Sequence, residues 1–179
     1  VSQDEHEASR DHVLNVAAGQ LPSTSPNKAK FYGSAATDGI RVSGTLTGYE
    51  TALINLLRGN AQSLILTDEQ GFPLTLYAAA PARLSIDGEA SLTLNVHLRC
   101  QVGFPSGHAP DGSRLNAYLE EEIEKVIRKL QSMRCDALGF GSLAVRRFCT
   151  VKEWEAFHFR DKYTKAQVQA NVQLQLKEE

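Results

Sequence analysis

The residues that most resemble catalytic machinery lie in one glycine- and proline-rich loop over residues 104–112, where Ser106, His108 and Asp111 follow one another closely. A serine nucleophile needs a hydrogen-bonded base, a buried carboxylate that orients the base, and an oxyanion hole. Three side chains in one short loop rarely reach that geometry, and the sequence has no Gly-x-Ser-x-Gly elbow. Hydrolysis is therefore the least favoured function, and we predict no catalytic residue and no enzyme.

Metal and cofactor chemistry also lacks a recognisable pattern. The histidines fit no metal-site spacing such as His-Glu-x-x-His; they are His6, His12, His97, His108 and His158. The Gly139-Phe140-Gly141 segment is too short for a phosphate-binding loop. Its glycines instead favour a sharp reversal of the chain, with Phe140 in the core. The sequence thus predicts no metal and no cofactor.

Composition limits the remaining function classes. Lys and Arg together number 19 against 21 for Asp and Glu, which gives a net charge of −2. Because no basic stripe is visible, nucleic acid is not an expected partner. Hydrophobic residues make up 42% of the chain, enough for a core, and no apolar run approaches the ~20 residues that span a bilayer. The odd cysteine count (Cys100, Cys135, Cys149) favours free thiols, with one disulfide as the alternative.

The first part of the chain predicts a leading segment followed by a hairpin and a helix. Residues 1–29 are expected to be a leading segment and linker, with helical spacing between residues 4 and 18, and the domain to span residues 30–179. Short strands over 31–36 and 40–46 flank an Asp-Gly turn. Thr47 and Glu50 then form a capping box that starts a helix, and Gly59 is expected to end it.

The middle of the chain predicts a sheet and one long helix. Extended runs indicate an antiparallel meander; they cover residues 62–67, 73–80, 83–87 and 91–101. After the loop, Ser113 is expected to cap a helix whose apolar stripe follows three-and-four spacing; the stripe consists of Leu115, Leu119, Ile123, Val126, Ile127 and Leu130. This helix must lie on the sheet.

The last part predicts smaller helical elements and a closing strand. A helix is expected over residues 142–148 and a turn that carries Trp154 over residues 152–157. From Ala166 to Leu176, apolar residues alternate with Gln and Asn, which indicates a half-buried strand with a polar outer face. That strand is either interior or a sheet edge that accepts a strand of another protein. The fold class is therefore α+β: an antiparallel β-sheet with one long amphipathic helix and smaller helices packed on it.

The order of these pieces resembles the C-terminal domain of spore germination receptor C subunits, the Ger(x)C-type lipoproteins. The resemblance covers roughly residues 30–177, and its best segment is 119–154. The motifs that carry it are Leu119 to Leu130, Asp136 to Gly141, Arg146-Arg147, Lys152-Glu-Trp154 and the closing strand, with Gly33-Ser-Ala35, Gly44 and the Glu50 helix agreeing more loosely. Departures fall at Thr37, at Ser142 and at Thr150-Val151, where the family usually has an aromatic residue, an acidic residue and a proline-containing connection.

The resemblance implies a role in nutrient-triggered germination. A C subunit of this kind would be a non-catalytic part of a germinant receptor that contains two integral membrane subunits. It would be held at the extracytoplasmic side of the spore inner membrane by a lipid on an N-terminal cysteine. No such cysteine or lipoprotein box is present here, so we expect this chain to be a soluble piece without its anchor. The family supplies no catalytic residues to carry over.

The favoured function is accordingly an interaction module that acts through protein–protein contacts in a membrane-associated complex. Possible interaction or structural motif residues are Gly139, Phe140, Gly141 and Trp154, and the loop over residues 104–112 and the closing strand are further candidates. The alternative is direct binding of a small-molecule germinant, which predicts an apolar pocket of several hundred Å³ with a few polar groups.

Overall fold

The computed structural model describes residues 13–16, 33–37, 41–67, 73–106 and 109–178. A three-stranded antiparallel sheet comes first, with the order β1 (Val13–Val16), β2 (Gly33–Thr37) and β3 (Val42–Thr47). The helical spacing before residue 18 is therefore misleading at Val13–Val16, which pairs with β2 as a strand. Most of the predicted leading segment and linker (residues 1–12 and 17–29) and the Asp38-Gly39 turn lie outside the described residues.

Helix α1 (Gly48–Arg58) begins and ends as its sequence predicts. Thr47 accepts a hydrogen bond from the Glu50 N–H, and the Glu50 carboxylate accepts the Thr47 N–H, which confirms the capping box. Gly59 ends the helix with a positive φ of 76°, a conformation that costs glycine little. The inner face of α1 is buried, including Leu53, Ile54, Leu56 and Leu57.

The second sheet has five strands and is built around β7 (Thr93–Phe104). The others are β4 (Ser63–Thr67), β5 (Pro73–Tyr77), β6 (Arg83–Asp87) and β8 (Gln167–Glu178). The order is β4-β5-β7-β6, so the expected simple meander is wrong: β5 and β6 both pair with β7, at residues 101–103 and 93–97.

Strand β8 pairs with β7 in parallel along its whole length, from Thr93↔Gln167 to Phe104↔Glu178. The α+β class is confirmed, but this pair differs from the purely antiparallel sheet that the sequence predicts. The alternation of β8 is as expected, with Val168 and Val172 buried and the glutamines exposed. A parallel return requires a long crossover, and all the remaining helices lie in it.

The crossover begins with helix α2 (Gly112–Ser132), whose buried stripe includes Leu119, Ile123, Val126, Ile127 and Leu130. Its N-cap is Asp111, not Ser113: the Asp111 carboxylate accepts the backbone N–H groups of Ser113 and Arg114. The loop predicted over 104–112 is correspondingly shorter, because Phe104 ends β7 and Gly112 begins α2.

Shorter helices follow: α3 (Phe140–Ala144), α4 (Val151–Phe157) and α5 (Phe159–Tyr163). The helix expected over 142–148 starts two residues earlier and continues as a 3-10 turn at Val145–Arg147. The turn expected around Trp154 is a helix, started by a second capping box in which Thr150 and Glu153 exchange hydrogen bonds. Both differences arise because helix ends are set by local capping, which apolar spacing does not report.

The outer edge of β8 is covered by α2. The carboxylates of Glu120 and Glu124 accept the backbone N–H groups of Val172 at 3.0 Å and Ala170 at 3.4 Å. At the start of the strand, the buried Gln131 amide donates to the carbonyls of Tyr163 at 2.7 Å and Ala166 at 3.0 Å. These bonds satisfy polar groups that an edge strand otherwise exposes.

We expect Glu120→Ala to lower the free energy of unfolding by about 1–2 kcal/mol, because it removes a charge-assisted acceptor from the Val172 N–H. Glu120→Gln, which keeps an acceptor oxygen, should lose less. Urea unfolding monitored by circular dichroism measures both effects. Glu121→Ala is the matched control: its side chain is 63% exposed and pairs with Lys125, so its loss should stay within about 0.5 kcal/mol. Equal losses at both positions would contradict the edge-capping role.

The ion pair between Glu50 and Lys129, which joins α1 to α2 at 2.6 Å, predicts a pH-dependent stability. Burial raises the pKa of Glu50, but hydrogen bonds from Lys129 and the Thr47 N–H outweigh it, and the net pKa lies below the ordinary 4.5. A carboxyl with a lowered folded pKa stabilises the fold above its unfolded pKa and loses that contribution as the pH falls through its folded pKa.

Glu50→Gln should therefore be less stable than the parent chain at pH 7, by about 1 kcal/mol. The difference should shrink once the pH falls below about 4.5 and disappear at lower pH. Unfolding titrations at a series of pH values measure this, with Glu121→Gln as a control. A difference between parent and Glu50→Gln that stays constant down to low pH would show that the carboxylate charge is not responsible.

Candidate functional site

The predicted motif at Gly139-Phe140-Gly141 is a backbone turn closed by one carboxylate. Asp136 Oδ1 accepts the N–H groups of Gly139 at 3.1 Å and Phe140 at 2.9 Å, and its Oδ2 accepts the Gly141 N–H at 2.5 Å. Successive N–H groups of this kind form a nest that attracts anions. The nest here is filled by the chain's own Asp136, and Phe140 is fully buried. The geometry favours a structural role for this motif.

The two glycines are needed for different reasons. Gly139 has a φ of 86°, a left-handed conformation, and a Cβ added there would meet no atom within 4 Å. A Cβ at Gly141 would come within 3.1 Å of Phe159 and 3.2 Å of the Asp136 carboxylate. Backbone conformation therefore selects glycine at 139, and close packing selects it at 141.

Trp154 belongs to a row of aromatic rings that runs from the core to the surface. Tyr163 is buried and its hydroxyl donates to the Cys135 carbonyl at 2.9 Å. The ring centroids of Phe159 and Tyr163 are 5.7 Å apart, and those of Phe159 and Trp154 are 5.6 Å apart. Trp154 in turn lies 6.2 Å from Phe157. These spacings are those of favourable aromatic pairs.

The outer end of this row forms a partly exposed apolar surface. We define the aromatic ridge as Phe148, Val151, Trp154 and Phe157. Helix α4 contributes no buried residue, and Val151 in its first turn is 73% exposed. Phe148, which precedes α4, lies 4.8 Å from Phe157 and 5.8 Å from Trp154 between ring centroids. The ridge is therefore an apolar patch in which three aromatic rings are half-buried and Val151 is exposed.

A cleft of about 540 Å³ lies beside the ridge, lined by Phe148, Phe157, Cys149, Arg147 and Lys162 among others. Backbone carbonyls of the segment between β6 and β7 position both cations. Arg147 donates to the Gly88 carbonyl at 3.1 Å, and Lys162 donates to the Glu89 carbonyl at 2.6 Å. Lys162 Nζ also lies 4.1 Å from the centre of the Phe157 ring, a cation–π contact. The ridge therefore has a basic margin.

A second cleft, of about 700 Å³, lies on the outer face of the sheet. Its lining is mixed: Gln101, Gln173 and Gln175 lie beside Tyr77 and Ala78, and Arg99 donates to Gln173 at 2.9 Å. It is an open groove of mixed polarity across the sheet face.

The structure describes two of the three residues of the triad alternative, Ser106 and Asp111. Asp111 is engaged as the cap of α2, Ser106 follows the end of β7, and His108 lies outside the described residues. Within the described ranges, no three His, Cys, Asp or Glu side chains come together as metal ligands. Cys100 and Cys135 are buried free thiols and Cys149 is an exposed one.

Asp136 and Val151 entered the sequence analysis only through the family resemblance, and neither was given a role in the site. The spacing of Asp136 before Gly139 is a pattern from which the nest could have been predicted, because Asp often accepts N–H groups a few residues ahead. No pattern indicates Val151, whose exposure depends on how α4 sits on the domain.

Comparison with known proteins decides the family. Residues 32–179 match the family model described as spore germination B3/GerAC like, C-terminal. The chain belongs to this family. The resemblance to germination receptor C subunits is thereby confirmed.

A solved structure, described as the crystal structure of the GerBC protein, shares the fold of this GerAC-like domain with a TM-score of 0.70. The sequence identity is 13%, and the match covers 93% of this chain and 56% of that chain. At this identity the likeness establishes the fold alone. No curated protein matches the sequence. In the described part of the chain, no helix is both long and apolar enough to cross a bilayer.

We expect Gly139→Ala to destabilise the GerAC-like domain by about 1 kcal/mol, since only the left-handed backbone opposes the added methyl group. Gly139→Asn should lose less, because asparagine tolerates this conformation. Thermal unfolding compares the two. Gly141→Ala serves as the packing counterpart and should be at least as costly, because its methyl group meets Phe159 and Asp136. If Gly139→Asn were as damaging as Gly139→Ala, backbone conformation would not be the reason for glycine.

Proposed function

We propose that this domain is a non-catalytic part of a germinant receptor and acts by holding partner proteins in a membrane-associated complex. Membership of the GerAC-like family supports a place in a germination receptor. The observation that carries the contact role is the aromatic ridge, where a helix without buried residues presents Val151 at 73% exposure. Apolar surface anchored on packed aromatic rings is typical of protein-binding sites.

The partners proposed are the integral membrane subunits of the receptor, with the full-length protein held by a lipid anchor at the extracytoplasmic side of the spore inner membrane. In this arrangement residues 30–179 form the contact domain, and the preceding residues 1–29 contribute β1 to its first sheet. Mixed surface charge and a net charge of −2 give no support for a nucleic-acid partner.

The ridge is suited to a helix or loop with an apolar side chain and an acidic neighbour. The apolar side chain would pack against Trp154 and Phe157, and the acidic group would meet Arg147 or Lys162 at the margin of the ridge. Aromatic anchors with a polar rim account for most of the binding energy in protein interfaces. The docked partner would thereby exclude water from α4.

The test is capture of detergent-solubilised receptor membrane subunits by the immobilised chain. Val151→Glu should weaken capture by about tenfold or more, because it places a charge in a desolvated apolar contact. The substitution should not disturb folding, since Val151 is exposed and a glutamate in the first turn of a helix is favourable. Circular dichroism verifies this.

Ile65→Glu is the matched control, because Ile65 is an apolar residue with 70% exposure in β4, the edge strand of the five-stranded sheet. Capture that survives Val151→Glu but not Ile65→Glu would show that the partner binds the sheet at β4 and not the aromatic ridge. Capture that survives both, together with Trp154→Leu in a folded chain, would overturn the proposal.

A further inference from the structure

Helix α2 and strand β8 run side by side in a fixed register. Glu124 accepts the N–H of Ala170, and Glu120, four residues earlier on the helix, accepts that of Val172, two residues later on the strand. Four helical residues advance about 6 Å and two strand residues about 6.6 Å, so the two repeats nearly coincide. Each turn of α2 therefore places one side chain opposite one outward N–H of β8.

The next step of this register reaches Arg128 on the helix and Val168 on the strand. Alternate residues of a strand direct their N–H groups to the same side, so the Val168 N–H faces the same edge as those of Ala170 and Val172. Arginine has no acceptor atom, and Arg128 instead donates to Glu124 Oε2 at 2.6 Å. In the described part of the chain, no group is found that accepts the Val168 N–H.

A cleft of about 400 Å³ opens at this point. Val168 lines it and is 7% exposed as a residue. The Gln167 N–H bonds to the Leu92 carbonyl, so the alternation along β8 directs the Val168 N–H to the opposite edge, where the cleft lies. Arg128 and Lys165 supply positive charge, and Thr164, Gln167 and Gln169 supply neutral polar groups. The nearest carboxylate, Glu124, is already paired with Arg128, so the two cations leave the cleft positive.

The walls of the cleft are fixed by buried hydrogen bonds. Gln131 is 6% exposed and holds the carbonyls of Tyr163 and Ala166. A preformed site of this kind binds with little ordering cost.

We propose that this cleft binds a carboxylate, which accepts the Val168 N–H and lies between Arg128 and Lys165. The ligand would occupy the position that a glutamate occupies at each of the preceding two turns of the register. This site is separate from the aromatic ridge and does not depend on the contact role proposed for it. The carboxylate belongs either to an acidic side chain of a protein partner or to a small carboxylic acid.

Titration of the isotope-labelled chain with sodium acetate, at constant ionic strength maintained with chloride, tests the proposal by NMR. The Val168 amide resonance should shift in a saturable manner, with half-saturation in the millimolar range. Lys165→Gln, which removes a cation without disturbing any intramolecular ion pair found here, should weaken binding by about fivefold. Arg128→Ala should weaken binding at least as much.

Lys125→Gln is the matched control. Like Arg128→Ala it removes a cation from α2, but Lys125 lies on the side of the helix that faces Glu121 and Glu122. Acetate binding should be unchanged in this variant. If Lys125→Gln weakened binding as much as Lys165→Gln, the response would reflect overall charge and the proposal would fail. A Val168 amide that does not respond to acetate, or responds equally to chloride, would overturn it as well.

A second titration distinguishes the two sources of the carboxylate. N-acetyl-glutamate amide mimics an acidic side chain within a protein, and acetate mimics a small free acid. Tighter binding of the blocked glutamate supports a protein side chain as the ligand, whereas tighter binding of acetate supports a small carboxylic acid. Both results bear out a carboxylate site, and failure of both compounds to bind overturns it.

Discussion

Strand β8 returns parallel to β7, and this pairing determines how the rest of the crossover must be built. The strand has β7 on one side only, so the N–H groups on its other side need acceptors from elsewhere. Helix α2 supplies them through Glu120 and Glu124 while burying its apolar stripe on the sheet. One helix thus covers both a face and an edge of the sheet. Glu120 and Glu124 therefore have a structural role beside that of the apolar stripe.

The same constraint separates what could be predicted from the sequence from what could not. Apolar spacing gave α2, and the alternation of glutamine with valine and leucine gave β8, because both patterns record which side of an element is buried. Alternation does not depend on the direction of the neighbouring strand, so it cannot distinguish parallel from antiparallel pairing. The order of β5, β6 and β7 is likewise absent from local pattern, since it depends on contacts between residues far apart in the chain.

The candidate site shows the same division at the level of single residues. Thr47 with Glu50 was predictable because both capping partners are local, whereas Asp111 and Ser113 can each cap a helix and only the observed backbone shows that Asp111 does so. Trp154 was predicted as a possible interaction residue, but the ridge depends on Phe148 and Phe157 meeting it in three dimensions. Burial of Phe140 was expected from its flanking glycines, and Asp136 supplies the reason those glycines can turn.

The ridge and the proposed carboxylate cleft share one support, the segment from Phe159 to Ala166. Phe159 stacks against Trp154 on one side, and the carbonyls of Tyr163 and Ala166 are held by Gln131 on the other. A buried amide with two such bonds is costly to displace, because its partners would be left unsatisfied in the core. The two surfaces are therefore held in a fixed relation by the packing of α5 against α2. A partner long enough to reach both would meet an apolar patch and a positive cleft at a constant separation, which gives selectivity that neither surface provides alone.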